Sequence, residues 1–140
     1  MTELIQRTGK CLCGKVEVTA TQQGNAVGVC HCSMCRNWGG GPLMTLEHCQ
    51  HVQFTEQDNI SVYNSSEWAE RGFCRHCGTH LFYHLKGTEN YVVPAGLFRN
   101  PDFKLDEQIF TDEKPAFYDF ANKTRMMTGP EVFAAFSGKD

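Results

Sequence analysis

The chain has 140 residues, a length at which one domain can bury an ordinary hydrophobic core, and we expect a single domain over residues 1–140. Its 13 basic and 16 acidic residues give a net charge of −3, and no run of like charges favours a nucleic-acid partner. The longest uncharged apolar stretch, residues 91–98, is far shorter than the ~18 residues of a membrane-spanning helix. Residues 1–7 lack the basic and apolar regions of a secretory signal, so we expect a cytoplasmic protein without membrane partners.

Short strands dominate the elements that the sequence predicts in its first half. Residues 16–20 alternate apolar and polar side chains, as a half-buried strand does, and the polar segment 22–25 is typical of a turn. Two further strands are predicted over residues 51–56 and 60–63. The polar triplet between these two strands indicates a hairpin.

The second half adds a hairpin and a terminal helix. Residues 81–85 and 91–93 form the clearest predicted hairpin, with a turn-forming segment between them. A short C-terminal helix is predicted where Thr128 can cap an apolar stripe at helical spacing: Val132, Phe133 and Phe136. Many short strands and few helices together predict a mainly β protein built of antiparallel sheets.

The eight cysteines are the most informative feature of the composition. Reduced thiols are the rule in the cytosol, so clustered cysteines there favour metal binding over disulfides. Structural cysteines behave as small apolar residues, and packing alone does not explain clusters of them. Seven of the eight are clustered and Cys49 stands alone; the clusters are Cys11 with Cys13, Cys30 with Cys32 and Cys35, and Cys74 with Cys77.

Two of these clusters are pairs that suit a closed structural zinc site. Such a site needs four ligands in a tetrahedron, commonly supplied as two short-spaced cysteine pairs from separate hairpins. Glycine follows each pair directly and permits the positive φ that such turns often need. We therefore expect a structural zinc ion that ties the first hairpin to the middle of the chain, bound by Cys11, Cys13, Cys74 and Cys77.

The remaining cluster, Cys30, Cys32 and Cys35, offers only three thiolates. A zinc ion with three protein ligands keeps an open position, where a substrate or water can be polarised. The alternative is that His31 or Cys49 completes the shell and the site is structural. The spacing alone leaves both interpretations open.

The cysteine motifs in residues 11–16, 30–36 and 73–79 resemble those of the glutathione-dependent formaldehyde-activating enzymes, also called the centromere protein V/Gfa domain family. Order, spacing and following glycines agree over residues 9–120. The resemblance implies an Mss4-like β-tent of antiparallel sheets stapled by zinc. It also implies two zinc ions per chain: a structural one on the two pairs and a labile one on Cys30, Cys32 and Cys35.

The resemblance implies a carbon–sulfur lyase that acts on a glutathione–aldehyde adduct, forming or splitting S-hydroxymethylglutathione. The three cysteines of the labile site would then be catalytic, and glutathione would be the co-substrate. For the two carboxylates of glutathione we infer that Arg36 and the backbone near Gly39 and Gly40 are candidate partners. The alternative function is a non-catalytic, zinc-stabilised module that binds a partner protein, because one fold hosts many activities.

Overall fold

The computed structural model describes residues 3–99 and 102–137, and mostly short strands fill that part of the chain. The strands are β1 (Leu4–Lys10), β2 (Glu17–Gln23), β3 (Ala26–Cys30), β4 (Leu43–Leu46), β5 (Cys49–Phe54), β6 (Ile60–Asn64), β7 (Ala69–Cys74), β8 (His80–Leu85), β9 (Tyr91–Val92), β10 (Lys104–Ile109) and β11 (Arg125–Met127). The helices are α1 (Ser33–Gly39) and α2 (Gly129–Ser137), and 3-10 turns occupy Gln57–Asn59, Ala95–Leu97 and Thr111–Glu113. The mainly β class and the short C-terminal helix are thus confirmed. Neither α1 nor α2 has the length and apolar character that crossing a bilayer requires.

The chain forms two compact units, and the first contains residues 1–25 and 45–102. One of its sheets has the strand order β1-β2-β5 and the other the order β6-β7-β8-β9, and every pair in both sheets is antiparallel. In β2 the buried positions alternate, as the sequence predicts, and the third of them is the polar Gln22. Its side chain accepts a hydrogen bond from Arg7 Nε at 2.6 Å and donates one to the Glu47 carbonyl at 2.9 Å. Burial of this amide is therefore compensated.

Aromatic rings join the two sheets of the first unit. The Phe54 ring of β5 lies 5.1 Å from the Phe82 ring of β8, and Phe82 lies 5.0 Å from the Tyr91 ring of β9, measured between centroids. Both distances are in the range of favourable edge and tilted ring contacts. The fully buried side chains of this core include Val16, Val18, Leu81 and Val93.

The second unit contains residues 26–44 and 103–140, and its complete strands are neighbours in the order β11-β10-β3. Here β10 pairs in parallel with both β3 and β11, an arrangement that the sequence did not indicate. At the start of α2, Glu131 N–H donates to Thr128 Oγ1 at 3.3 Å, and Thr128 N–H donates to Glu131 Oε1 at 2.8 Å. This reciprocal capping box confirms the predicted cap.

One predicted hairpin is confirmed and another is wrong. β8 and β9 pair as expected, with Tyr83 opposite Val92. The strands on either side of Gln57–Asn59 do not pair with each other: β5 pairs with β2, and β6 pairs with β7. A left-handed Glu56 (φ 52°) and the 3-10 turn that follows it redirect the chain between them. The alternating pattern of a strand does not identify its partner, so the sequence could not distinguish the two pairings.

A glycine in β1 allows a close approach to the backbone of a neighbouring 3-10 turn. A Cβ atom on Gly9 would lie 2.4 Å from the Leu97 carbonyl oxygen. We expect Gly9→Ala to lower the free energy of unfolding by about 1–3 kcal/mol, because the backbone must shift to admit the methyl group. Gly96→Ala is the matched control: its Cβ would meet none of the described atoms within 4 Å. Denaturant titration of both variants is the measurement, and a Gly9→Ala protein as stable as Gly96→Ala would contradict this packing.

Candidate metal centres

Four of the eight cysteines meet within the first unit, and we name them the first cysteine group: Cys11, Cys13, Cys74 and Cys77. Their sulfur atoms all lie within 4.8 Å of one another. The Sγ atoms of Cys11 and Cys13 are 3.6 Å apart, and those of Cys13 and Cys74 are 3.7 Å apart. Sulfurs bound to one tetrahedral zinc ion at about 2.3 Å would be about 3.8 Å apart, so this donor set fits zinc.

Two similar turns present these sulfurs. After β1, Gly14 N–H donates to the Cys11 carbonyl at 3.0 Å, and after β7, Gly78 N–H donates to the Cys74 carbonyl at 2.8 Å. Gly14 has a φ of 82° and Gly78 a φ of 80°, in the left-handed region where a side chain is strained. The predicted need for glycine after each pair is therefore confirmed.

Hydrogen bonds to the sulfurs favour their ionised form. Val16 N–H donates to Cys11 Sγ at 3.4 Å. The Thr79 hydroxyl accepts from Leu12 N–H at 3.0 Å, which leaves its own proton to donate to Cys77 Sγ at 3.2 Å. Burial raises the pKa of Cys77, but hydrogen bonds from Thr79, together with those from Cys13 and Cys74, outweigh burial and bring this pKa to about 5. Near neutral pH the first group therefore offers a thiolate to an incoming cation.

The other clustered cysteines meet within the second unit, and we name them the second cysteine group: Cys30, Cys32 and Cys35. Cys30 ends β3, Cys32 is the N-cap of α1, and Cys35 lies in the first turn of that helix. Their sulfurs also lie within 4.8 Å of one another. Cys32 Sγ accepts a hydrogen bond from Cys35 N–H at 3.4 Å. The group therefore spans the end of a strand and the start of a seven-residue helix, which Cys32 caps at its N-terminus and Gly40 at its C-terminus.

Each group contains a thiol whose ionisation the neighbouring sulfurs oppose. The hydrogen bond from Lys15 lowers the pKa of Cys13, but burial and the other sulfurs raise it to about 11. Hydrogen bonds with Cys32 and Cys35, together with burial, raise the pKa of Cys30. Such crowding of potential thiolates is relieved when a cation binds between them.

Neither alternative fourth ligand joins the second group. The His31 side chain turns away and bonds Tyr118 and Gln108 instead. Cys49 lies in β5 of the first unit, half-buried, where burial raises its pKa to about 11. Among residues 3–99 and 102–137, no fourth ligand atom of a His, Cys, Asp or Glu side chain shares the 4.8 Å cluster.

The residues expected to contact glutathione lie at the C-terminal end of α1. Arg36 Nε donates to the His31 carbonyl at 2.8 Å, so only its terminal nitrogens can serve a ligand. Gly40 N–H donates to the Arg36 carbonyl at 2.8 Å and thereby closes the helix with a left-handed φ of 84°. The sequence indicated the backbone near Gly40 as a partner for glutathione, but in the structure the Gly40 N–H is already bonded to Arg36. Around Gly39 and Gly40 a Cβ atom would meet no described atom within 4 Å, so both glycines leave open space.

Three residues at the second group carry no signal in the sequence. Glu113 Oε1 accepts from Ser33 N–H at 2.8 Å, which places a carboxylate at the start of α1, where it is electrostatically favourable. Tyr118 and Gln108 bind the His31 ring from positions 87 and 77 residues further along the chain. Separations of this size leave no local pattern, so only the folded structure reveals these partners.

Comparison with known proteins gives three findings. The sequence model of the family described as glutathione-dependent formaldehyde-activating enzyme matches residues 6–113. A protein of Schizosaccharomyces pombe named as an uncharacterised lyase is 39% identical over 126 residues, which cover 89% of this chain and 92% of that one. A crystal structure of a Rhodobacter sphaeroides protein matches with a TM-score of 0.51 and 25% identity, covering 67% of this chain and 91% of that one. Both cysteine groups lie inside the segment that the family model matches.

Proposed function

Since the chain belongs to the glutathione-dependent formaldehyde-activating enzyme family, we propose that it is a zinc-dependent carbon–sulfur lyase acting on a glutathione–aldehyde adduct in the cytoplasm. Membership of the family and the lyase name of the yeast relative support a glutathione-related lyase. The observation that carries the finer proposal is the second cysteine group, with three clustered sulfurs and no fourth ligand among the described residues. Three ligands and one open position are typical of catalytic zinc.

The proposed reaction joins the sulfur of glutathione to the carbon of an aldehyde. The thiol loses its proton, the C–S bond forms, and the carbonyl oxygen gains a proton; the reverse reaction splits the adduct. Cys30, Cys32 and Cys35 would hold the metal, which when bound supplies a Lewis acid for a thiolate or a carbonyl oxygen. The terminal nitrogens of Arg36 are the candidate partners of a glutathione carboxylate, and Gly39 and Gly40 supply room beside them.

The first cysteine group has a different proposed role. Four clustered sulfurs would fill a tetrahedral zinc shell without an open position, so the zinc bound there would be structural. It links the turn after β1 to the turn after β7, which are 61 residues apart between Cys13 and Cys74. The proposal therefore requires two zinc ions per chain with unequal roles, one structural and one labile.

A second function is favoured by exposed aromatic residues in the second unit. Phe117 is 81% exposed, and Phe133 and Phe136 of α2 are 61% and 60% exposed. Exposed apolar side chains of this size are common at surfaces that bind other proteins. A zinc-stabilised module that binds a partner protein would hold both metals tightly and would have no effect on aldehyde chemistry.

The two functions differ in the rate of adduct exchange. Glutathione and formaldehyde combine spontaneously, so the test measures by exchange NMR how fast isotope-labelled formaldehyde passes between its free and glutathione-bound forms. We expect protein carrying two zinc ions to raise this rate roughly tenfold or more above buffer, a modest barrier reduction for an enzyme. A simple thiol without carboxylates is the control and should gain less. A fully zinc-loaded protein that leaves the rate at the buffer value would reject the lyase and favour the binding module.

A further inference from the structure

His31 lies between two cysteines of the second group, yet its side chain serves a separate hydrogen-bond network. The ring is fully buried in the second unit. Its Nδ1 atom lies 2.8 Å from the Tyr118 hydroxyl and its Nε2 atom 2.9 Å from Gln108 Oε1. The ring also stacks on Tyr118, with centroids 5.5 Å apart. Both nitrogens are thus satisfied by residues from the last third of the chain.

The hydrogen bond between Gln108 and Thr124 determines which atom of Gln108 faces His31. Gln108 Nε2 donates to Thr124 Oγ1 at 3.0 Å, so the amide oxygen faces His31 and accepts. His31 Nε2 therefore donates to this oxygen, and Nδ1 bonds the Tyr118 hydroxyl. Partners on two different ring nitrogens fix the orientation of the ring as well as its position.

The backbone of His31 is held as firmly as its ring. Its N–H donates to the Ile109 carbonyl at 3.1 Å, continuing the parallel pairing of β3 with β10. Its carbonyl accepts from Arg36 Nε at 2.8 Å. Four hydrogen bonds therefore converge on one residue that contributes no sulfur. In an extended segment neighbouring side chains point to opposite sides, so a fixed inward His31 turns both flanking cysteines to the other side.

We infer that His31 is a positioning residue of the second cysteine group: its ring, clamped between Tyr118 and Gln108, sets the separation of the Cys30 and Cys32 sulfurs and with it the metal affinity. This inference rests on the proposed role of the group as a zinc site. It extends that site beyond the cysteines, and Tyr118 lies outside the segment matched by the family model. Groups that orient metal ligands typically change metal affinity by about 10–100-fold when removed.

Two variants test the inference on the full chain. His31→Phe keeps an aromatic ring but removes both side-chain hydrogen bonds, and Tyr118→Phe removes only the bond to Nδ1. Zinc affinity is measured by competition with a chromophoric chelator, which counts the sites and gives the dissociation constant of each. We expect His31→Phe to weaken the second site by about 10–100-fold, and Tyr118→Phe to weaken it less. The first site should keep its affinity in both variants.

A spectroscopic readout separates positioning from general destabilisation. Cobalt placed in the second site reports its sulfur geometry, and we expect its absorption bands to shift in His31→Phe. The matched control is His84→Phe in the first unit, because His84 also uses both ring nitrogens, bonding Glu70 at 2.7 Å and the Thr88 carbonyl at 2.8 Å. This control should leave the affinity and the cobalt spectrum of the second site unchanged.

The outcomes separate the inference from the proposed function. If wild-type protein binds no second zinc, both fail. If it does, but His31→Phe and Tyr118→Phe bind that zinc within about twofold of wild type, well inside the 10–100-fold range, His31 is not a positioning residue and the lyase proposal stands. Equal weakening of both zinc sites in His31→Phe would also overturn the inference. Should His31→Phe fail to fold, the nearly isosteric Tyr118→Phe decides between these results.

Discussion

Replacing Cys74 with serine is expected to remove zinc from the first cysteine group and to unfold much of the protein. Cys74 is fully buried at the end of β7, and its sulfur lies 3.7 Å from that of Cys13. Serine is a poor zinc ligand, and without the metal the turns after β1 and β7 lose their shared anchor. Structural zinc contributes directly to folding free energy, so we expect a loss of more than about 4 kcal/mol.

The measurements for this variant are the melting temperature, the yield of soluble protein and the zinc content. Cys49→Ser is the matched control, because it makes the same chemical change at a half-buried cysteine outside both groups. The control should keep two zinc ions and melt close to wild type. A Cys74→Ser protein with an unchanged melting temperature and two zinc ions would show that the first group is not a structural metal site.

Cys32→Ser is expected to abolish adduct exchange and remove one zinc ion while the protein stays folded. The second group spans only six residues, so its metal closes a short loop and contributes little to global stability. The structure adds a second reason: Cys32 is the N-cap of α1, and its sulfur accepts from Cys35 N–H at 3.4 Å. Serine is among the preferred N-caps, so the helix keeps its cap when the metal ligand is lost.

Three readouts check this separation of roles: zinc content, thermal unfolding and the NMR exchange rate of glutathione-bound formaldehyde. We expect one zinc ion, a melting temperature within a few degrees of wild type, consistent with a change of about 1 kcal/mol or less, and exchange at the buffer rate. Cys49→Ser again controls for the loss of a thiol. Unfolding of Cys32→Ser would make the second group structural, and full exchange activity without its zinc would place the chemistry elsewhere.

The sequence predicted best what is encoded over short spacings. Gly14 and Gly78 adopt the left-handed backbone expected of them, and Thr128 caps α2 as expected. The division of seven cysteines into sets of four and three, taken from their spacing, is the grouping that the structure brings together. These features depend on a few neighbouring residues, where backbone geometry and ligand chemistry leave few alternatives.

What the sequence could not predict depends on contacts between distant segments. The predicted hairpin around Gln57–Asn59 failed because β5 and β6 have partners elsewhere in the chain. The parallel pairing of β10 with β3 is equally remote, and it brings Ile109 beside Cys30. The pairing of β10 with β3 brings Gln108 to His31, so this partner could be identified only from the folded structure. Helix α1 was missed for a different reason, because seven residues are too few to show a helical period.

The hydroxyl of Thr79 has a consequence for how the first centre is assembled. It bonds Leu12 of one turn and Cys77 of the other, and neither bond involves a metal. This hydroxyl therefore adds a link between the two turns besides the metal ligands, and it lowers the entropy cost of gathering the four sulfurs. A metal ion then binds sulfurs that already lie close together, within 4.8 Å of one another. One side chain that is not a ligand thus helps to arrange the sulfurs of this centre for a metal ion.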